Sequence, residues 1–198
     1  MNAVYELRQY TLHPGKRDTL IDLFERQFLE TQEACGMTIP GQFRDLDDPD
    51  RFVWFRGFPD MPRRKEALTC FYGGPVWNAH RDAANATMID SDDVLLLRLF
   101  DGSSFPVSAP RYFLTVYSFD VPVSDDVHIP ALTLLRTEPA ENNFPRLPVR
   151  AGEHVIVALT AEQNEIVLPG ARVQRLRLEP TARSKMRSAG TDVAAPYC

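Results

Sequence analysis

Apolar and polar residues alternate from Val4 to Leu12, placing Val4, Glu6, Arg8 and Tyr10 on one face of a strand and Tyr5, Leu7, Gln9 and Thr11 on the other. Pro14-Gly15 breaks that strand. From Lys16 to Cys35 the spacing changes to three and four, carried by Leu20, Leu23, Phe24, Gln27, Phe28 and Thr31, which predicts an amphipathic helix ended by Gly36. Alternation returns in Thr38 to Leu46 and in Arg51 to Phe58, joined by the turn formers Asp47-Asp48-Pro49-Asp50. Phe52, Trp54, Arg56 and Phe58 share one face of the second of these strands. A second helical region starts at Pro59-Asp60-Met61-Pro62, is interrupted at Gly73-Gly74-Pro75 and resumes to Ala86. Ser91 to Phe100 supplies a fourth strand. The order β-α-β-β-α-β is that of a ferredoxin-like sheet with two helices on one face.

The second half echoes the first. Tyr112-Phe113-Leu114-Thr115-Val116-Tyr117 aligns with Tyr5-Glu6-Leu7-Arg8-Gln9-Tyr10, Val155-Ile156-Val157 with Val53-Trp54-Phe55, and Leu176-Arg177-Leu178 with Leu97-Arg98-Leu99. Three matches in one order indicate an internal repeat. Its strands are too closely spaced for full helices, and its hairpin connection, Glu138 to Gly152, is long and proline-rich. The chain therefore divides into residues 1–104, a helix-poor β-rich repeat at 110–180, and a small, polar tail at 181–198 expected to be disordered. Phe52, Trp54 and Phe58 would be an exposed apolar patch on a one-sided sheet, so a second sheet is expected to pack on that face in a barrel-like core. It would come from residues 111–178 or from another subunit.

Composition narrows the partners. The 198 residues carry 22 Lys plus Arg and 27 Asp plus Glu, a net charge of −5, which gives no electrostatic reason to follow a phosphate backbone. Apolar runs such as Val94-Leu95-Leu96-Leu97 fall far short of the roughly 20 residues of a membrane helix, and Glu6 and Arg8 stand where a signal peptide needs its apolar core. Cys35, Cys70 and Cys198 are odd in number and form no CxxC pair. They support neither a disulfide framework nor a zinc site, and the expectation is a reduced, cytoplasmic protein.

Several unusual runs occur in order: Tyr5-Glu6-Leu7-Arg8-x-Tyr10 with Pro14-Gly15-Lys16, then Phe71-Tyr72-Gly73-Gly74-Pro75-Val76-Trp77-x-x-His80-Arg81-Asp82-Ala83-Ala84-Asn85, then Met88-Ile89-Asp90-Ser91-Asp92 into Val94-Leu95-Leu96-Leu97-Arg98. By these runs the chain resembles the NIPSNAP family over residues 4 to 100, and more loosely through Asn143-Phe144-Pro145-Arg146-Leu147-Pro148-Val149-Arg150. The resemblance implies a dimeric α+β barrel, the fold also used by antibiotic monooxygenases and several haem-handling proteins. It brings no agreed reaction.

His80 follows Trp77 by three residues on a predicted helix, so the two share a face. It is a candidate general base or haem ligand over an aromatic pocket, or a partly buried histidine bonded to a backbone carbonyl. Glu6, Arg8 and Tyr10, with Trp54, Arg56 and Arg98, would line a cavity if their faces point into the barrel. Such a site suits an anionic or carbonyl-bearing aromatic ligand; the same residues could instead form a salt-bridge network that sets strand register. Met61-Pro62-Arg63-Arg64-Lys65 reads as a solvated basic run, and His13, His128 and His154 have no ligand spacing.

The expectation is an α+β fold with a ferredoxin-like first half and a degenerate second repeat, packed as a dimeric α+β barrel. It would bind a small apolar or aromatic ligand between sheet and helices, with no metal or cofactor, as a homodimer. In that site Tyr10, Trp54 and Trp77 give contact area, Arg8, Arg56 and Arg98 polar anchoring, and Glu6 and His80 are the catalytic candidates. Two other readings stay open: a cofactor-independent monooxygenase or isomerase, and an interaction scaffold docking through Pro139 to Pro148.

Overall fold

Eight antiparallel strands close into one barrel in the computed structural model, which describes residues 4–105, 108–124, 127, 129–163 and 165–188. The first half supplies β1 (Val4–Leu12), β2 (Thr38–Asp45), β3 (Arg51–Phe58) and β4 (Met88–Leu99). The second supplies β5 (Tyr112–Phe119), β6 (Thr133–Thr137), β7 (His154–Thr160) and β8 (Arg172–Pro180). Around the barrel the order is β1-β3-β2-β8-β5-β7-β6-β4. Each half thus repeats one arrangement, β4-β1-β3-β2 and then β8-β5-β7-β6, joined through β2–β8 and β4–β6. The barrel closes within one chain and needs no second subunit. It is a mixed α/β fold in which strands dominate.

Alternation decides what each strand buries. Tyr5, Leu7, Phe43, Val53, Phe55, Leu95, Leu97, Leu114, Leu135, Val157, Leu159, Leu176 and Leu178 form one cluster that draws on all eight strands, so it is the lumen. Eight strands leave a lumen just wide enough for side chains, and hydrocarbon fills most of it, beside one amide pair, Gln9 bonded to Gln174. The opposite face of the first half packs Val4, Tyr10, Phe52, Trp54, Phe58 and Leu96 under the helices. This corrects the expected orientation: Phe52, Trp54 and Phe58 face the helices, not a second sheet, because Leu7, Val53 and Phe55 hold the other side of the pleat.

The first helical stretch runs through α1 (Arg17–Leu23), a π-helical turn at Phe24–Phe28 and α2 (Leu29–Ala34). Its buried residues fall at Leu20-Ile21, Phe24-Glu25, Phe28-Leu29 and Gln32. A spacing of four overruns the 3.6-residue period, and the wider turn absorbs the drift. Next come α3 (Met61–Gly73), capped by Asp60 accepting from the Arg63 amide at 2.7 Å, and α4 (Pro75–Asn85).

Cys35, capping α2, is disulfide-bonded to Cys70 of α3, contrary to the expectation of reduced thiols. Helix packing brings together two cysteines that no local spacing pairs. The tail also departs from expectation. The Thr181 amide donates to the Gln42 carbonyl, the Arg183 amide to Glu25, and Met186 is buried in the lumen cluster, so residues 181–188 pack against the barrel. Residues 189–198 and His128 lie outside the described residues.

Among the described residues the second half carries no helix on its outer face. Its connections cover Tyr117, Ile156 and Ala158 with Ile129, Ile166 and Leu168. The proline-rich connection from Glu138 to Gly152 instead folds back over the first half. Its Glu138 and Arg150 amides donate to the Leu96 and Val94 carbonyls, and Phe144 is buried beneath the helices.

Candidate functional site

Strand register builds the site. Glu6 lies opposite Arg56, Arg8 opposite Trp54 and Tyr10 opposite Phe52, all beneath the helices. Three guanidinium groups converge on the single carboxylate of Glu6. Arg8 Nη1 donates to Oε2 at 2.7 Å, Arg56 Nε to the same oxygen at 2.6 Å, and Arg64 Nε to Oε1 at 2.8 Å. Glu6, Arg56 and Arg64 are fully buried and Arg8 is 1 % exposed.

The remaining donors reach outward. Arg8 Nε donates to the Tyr10 hydroxyl at 2.9 Å, and Arg56 Nη1 donates to the Tyr72 hydroxyl at 3.2 Å. Arg64 Nη1 donates to Asn142 Oδ1 at 3.0 Å and Asn143 Oδ1 at 2.8 Å, tying the proline-rich connection to the cluster. Aromatic faces take up part of the buried charge: Arg8 and Arg56 lie 5.7 and 5.4 Å from the Trp54 ring, and Arg64 lies 5.9 Å from Phe58. Arg56 Nη2 and Trp54 Nε1 are buried with no partner among the described residues.

Charge does not balance here. Burial raises the Glu6 pKa, but the charges of Arg56, Arg8 and Arg64 outweigh it and hold the carboxyl far below the usual glutamate range. Burial pulls Arg64 down against the support of Glu6. Burial likewise pushes the Tyr10 phenol up, so it stays protonated. One ionised carboxylate among three guanidiniums leaves two positive charges in excess inside the protein.

Beside the cluster is a small cavity walled by Tyr10, Phe24, Phe28, Gln32, Trp54, Phe71, Tyr72 and Trp77. Its volume of about 30 Å³ has room for about one water. A larger guest requires side chains of the wall to move, and Tyr72 and Trp77 are its half-buried aromatic residues. Among the described residues no group of three or more His, Cys, Asp or Glu side chains could hold a metal, and no helix is long and apolar enough to cross a membrane.

Of the residues read from sequence, Glu6, Arg8, Tyr10, Trp54 and Arg56 come together, and Trp77 walls the cavity. They meet under the helices rather than in the lumen. His80 is half-buried with its ring 6.4 Å from that of Phe28, and it is not part of the cavity wall. Arg98 does not join the cluster. The β1–β4 register sets Glu6 against Leu96, and Arg98 instead faces Arg136 of β6. Its place is taken by Arg64, which is buried and not solvated as the basic run Met61 to Lys65 suggests, because Ala67, Leu68 and Phe71 continue its stripe. Gln32, Tyr72 and the Asn142-Asn143 pair are not among the sequence candidates, although Tyr72 and Asn143 stand in runs that carry the family resemblance.

The NIPSNAP family model matches residues 5–104, half of the chain. The chain belongs to the NIPSNAP family. Among solved structures, a NIPSNAP family protein of unknown function from Agrobacterium tumefaciens shares 18% identity over 53% of this chain and 95% of its own, at a TM-score of 0.48. Two proteins provisionally named monooxygenases align over nearly the whole chain. The one from Lactobacillus acidophilus is 10% identical over 91% of this chain and 94% of its own, at a TM-score of 0.55. The one from Fusobacterium nucleatum is 8% identical over 90% and 92%, also at 0.55. At those identities the likeness speaks for the fold alone. No curated protein matches the chain.

Proposed function

We propose that this NIPSNAP protein binds a small ligand with an apolar or aromatic body and an anionic or carbonyl oxygen, held between the sheet and the helices. The observation that carries this reading is the set of three buried guanidiniums around one carboxylate. Buried charge costs several kcal/mol per ion unless it is paired, and a cluster built only to fix strand register has no use for two surplus cations. A ligand oxygen that accepts from Arg56 Nη2 and Trp54 Nε1, which have no partner among the described residues, would pair part of that surplus. Tyr10, Trp54 and Trp77 then supply contact area, and Glu6 orients the arginines. The repeated strand order supports reading each half as a ferredoxin-like unit, stripped of helices in the second. A homodimer would associate through outer surfaces, since closing the barrel does not call for one.

The test is native mass spectrometry of the purified protein beside Arg56→Met, with an absorption spectrum. Wild type retains a small molecule that the variant releases. Equal occupancy in both proteins overturns the reading.

A second reading, a cofactor-independent monooxygenase or isomerase, draws on the two provisionally named monooxygenases of similar fold. There the arginines hold a developing oxyanion. Glu6, ionised and gripped by three arginines, is a weak base, so proton transfer falls to His80, and His80→Ala would abolish turnover while sparing ligand retention. Nothing comparable favours the scaffold reading: in Pro139 to Pro148, Phe144 is buried and both asparagines are committed to Arg64.

A further inference from the structure

We infer that the ligand is an amphipathic acid whose carboxylate is held outside the buried cluster, in a cleft at the cavity's mouth between α4 and the proline-rich connection. This rests on the binding reading above and adds the chemical class. The cleft has a volume of about 280 Å³ and shares two walls, Tyr72 and Trp77, with the inner cavity. That space suits one small aromatic or branched aliphatic body.

Its polar groups have one sign. Arg81 and Asn85 from α4 and Arg146 from the connection line it together with Trp77, Tyr72 and Phe144. Several arginines elsewhere close on carboxylates: Arg44 on Asp18 at 2.8 Å, Arg63 on Glu66 at 2.7 Å, Arg172 on Asp120 and Arg177 on Asp47 both at 2.5 Å. At the mouth Arg146 has no ion pair among the described residues, and Arg81 only grazes its neighbour Asp82 at 3.5 Å. Two guanidiniums and an amide without an internal acid are a fork set for a carboxylate.

The cleft is also held in shape. Asn142 and Asn143 are bonded to Arg64, and the Phe144 ring stacks on Tyr72 with centroids 6.1 Å apart. The wall that carries Arg146 is therefore anchored on the inner cluster. A ligand spanning both chambers would lay its body on Trp77 and Tyr72, place an inner oxygen near Arg56, and leave its acid between Arg81 and Arg146.

Calorimetric titration of the full chain with 2-naphthoate and its neutral isostere 2-naphthamide tests this. A charge-assisted contact should favour naphthoate by about tenfold, and Arg81→Gln with Arg146→Gln should erase that preference while leaving naphthamide binding unchanged. A preference that survives the double substitution but disappears in Arg56→Met places the acid on the inner cluster; the binding reading then stands and this inference falls. Equal affinity of wild type for the two probes also overturns it. If wild type binds neither probe, the cavity reading fails and takes this one with it.

Discussion

The two halves of the barrel share one strand order and spend it differently. Where the first half has Glu6, Arg8, Tyr10, Trp54 and Arg56 on its outer face, the aligned positions of the second are Phe113, Thr115, Tyr117, Ile156 and Ala158. The first half covers its charged face with three helical stretches and a borrowed loop. The second covers an apolar face with its own connections. In the lumen, where the halves meet, both contribute hydrocarbon and one neutral amide each, Gln9 bonded to Gln174. Buried charge is therefore not demanded by the architecture, since the second half closes without it. It is confined to the half that has helices above its sheet and a cavity beneath them.

The largest effect should come from removing the one acid. Glu6→Gln leaves three buried guanidiniums with no counter-charge and should lower unfolding free energy by about 3–5 kcal/mol in urea titration. Reduction of Cys35–Cys70, which closes a 35-residue separation between α2 and α3, should cost about 3–4 kcal/mol, read as a lower midpoint under dithiothreitol. Because that link spans the two helical walls of the cavity, the second half should be unaffected. A hydrogen-exchange map showing equal loosening of β5–β8 would contradict the separation of roles.

The pH dependence sharpens the same contrast. The folded-state pKa of Glu6 is depressed, so its contribution to stability is complete above the unfolded glutamate value near ~4.3 and declines as pH falls below it. Wild type should lose stability on acidification through that range more steeply than Glu6→Gln, measured as unfolding midpoints from pH 7 to 3. Parallel curves would mean that Glu6 is not the ionised hub described here. The smallest effect belongs to the second half: Tyr117→Phe removes the bond from its hydroxyl to the Ile166 carbonyl, 3.1 Å long, and should cost about 0.5–1.5 kcal/mol without changing ligand retention.

Much of the fold was legible because local periodicity dominates in the strands. The runs Val4–Leu12 and Arg51–Phe58 coincide with β1 and β3, and the three echoed segments fall on β5, β7 and β8 at equivalent places in the sheet order. Which side of the pleat faces the helices was not legible. Leu7, Val53 and Phe55 are as apolar as Phe52, Trp54 and Phe58, so either face could have been the lumen, and only closure of the barrel decides. The site was half readable for a related reason. Alternation aligned Glu6, Arg8 and Arg56, but Arg64 reaches Glu6 across 58 residues and the Asn142-Asn143 pair reaches Arg64 across 78 and 79, separations that no local pattern encodes. Arg98 was misplaced because sharing a sheet is not sharing a register. The cysteines pair through helix packing, which spacing rules do not see.

The central claim is that the arginine surplus serves a ligand and not the fold. Unfolding free energy of Arg56→Met against wild type tests it most directly. Methionine fills similar volume without charge and leaves Glu6 paired with Arg8 and Arg64. The account predicts a variant as stable as wild type, or more stable by up to about 1–4 kcal/mol. A loss of about 3–5 kcal/mol, the scale expected for Glu6→Gln, would show that Arg56 is part of the framework and contradict the claim.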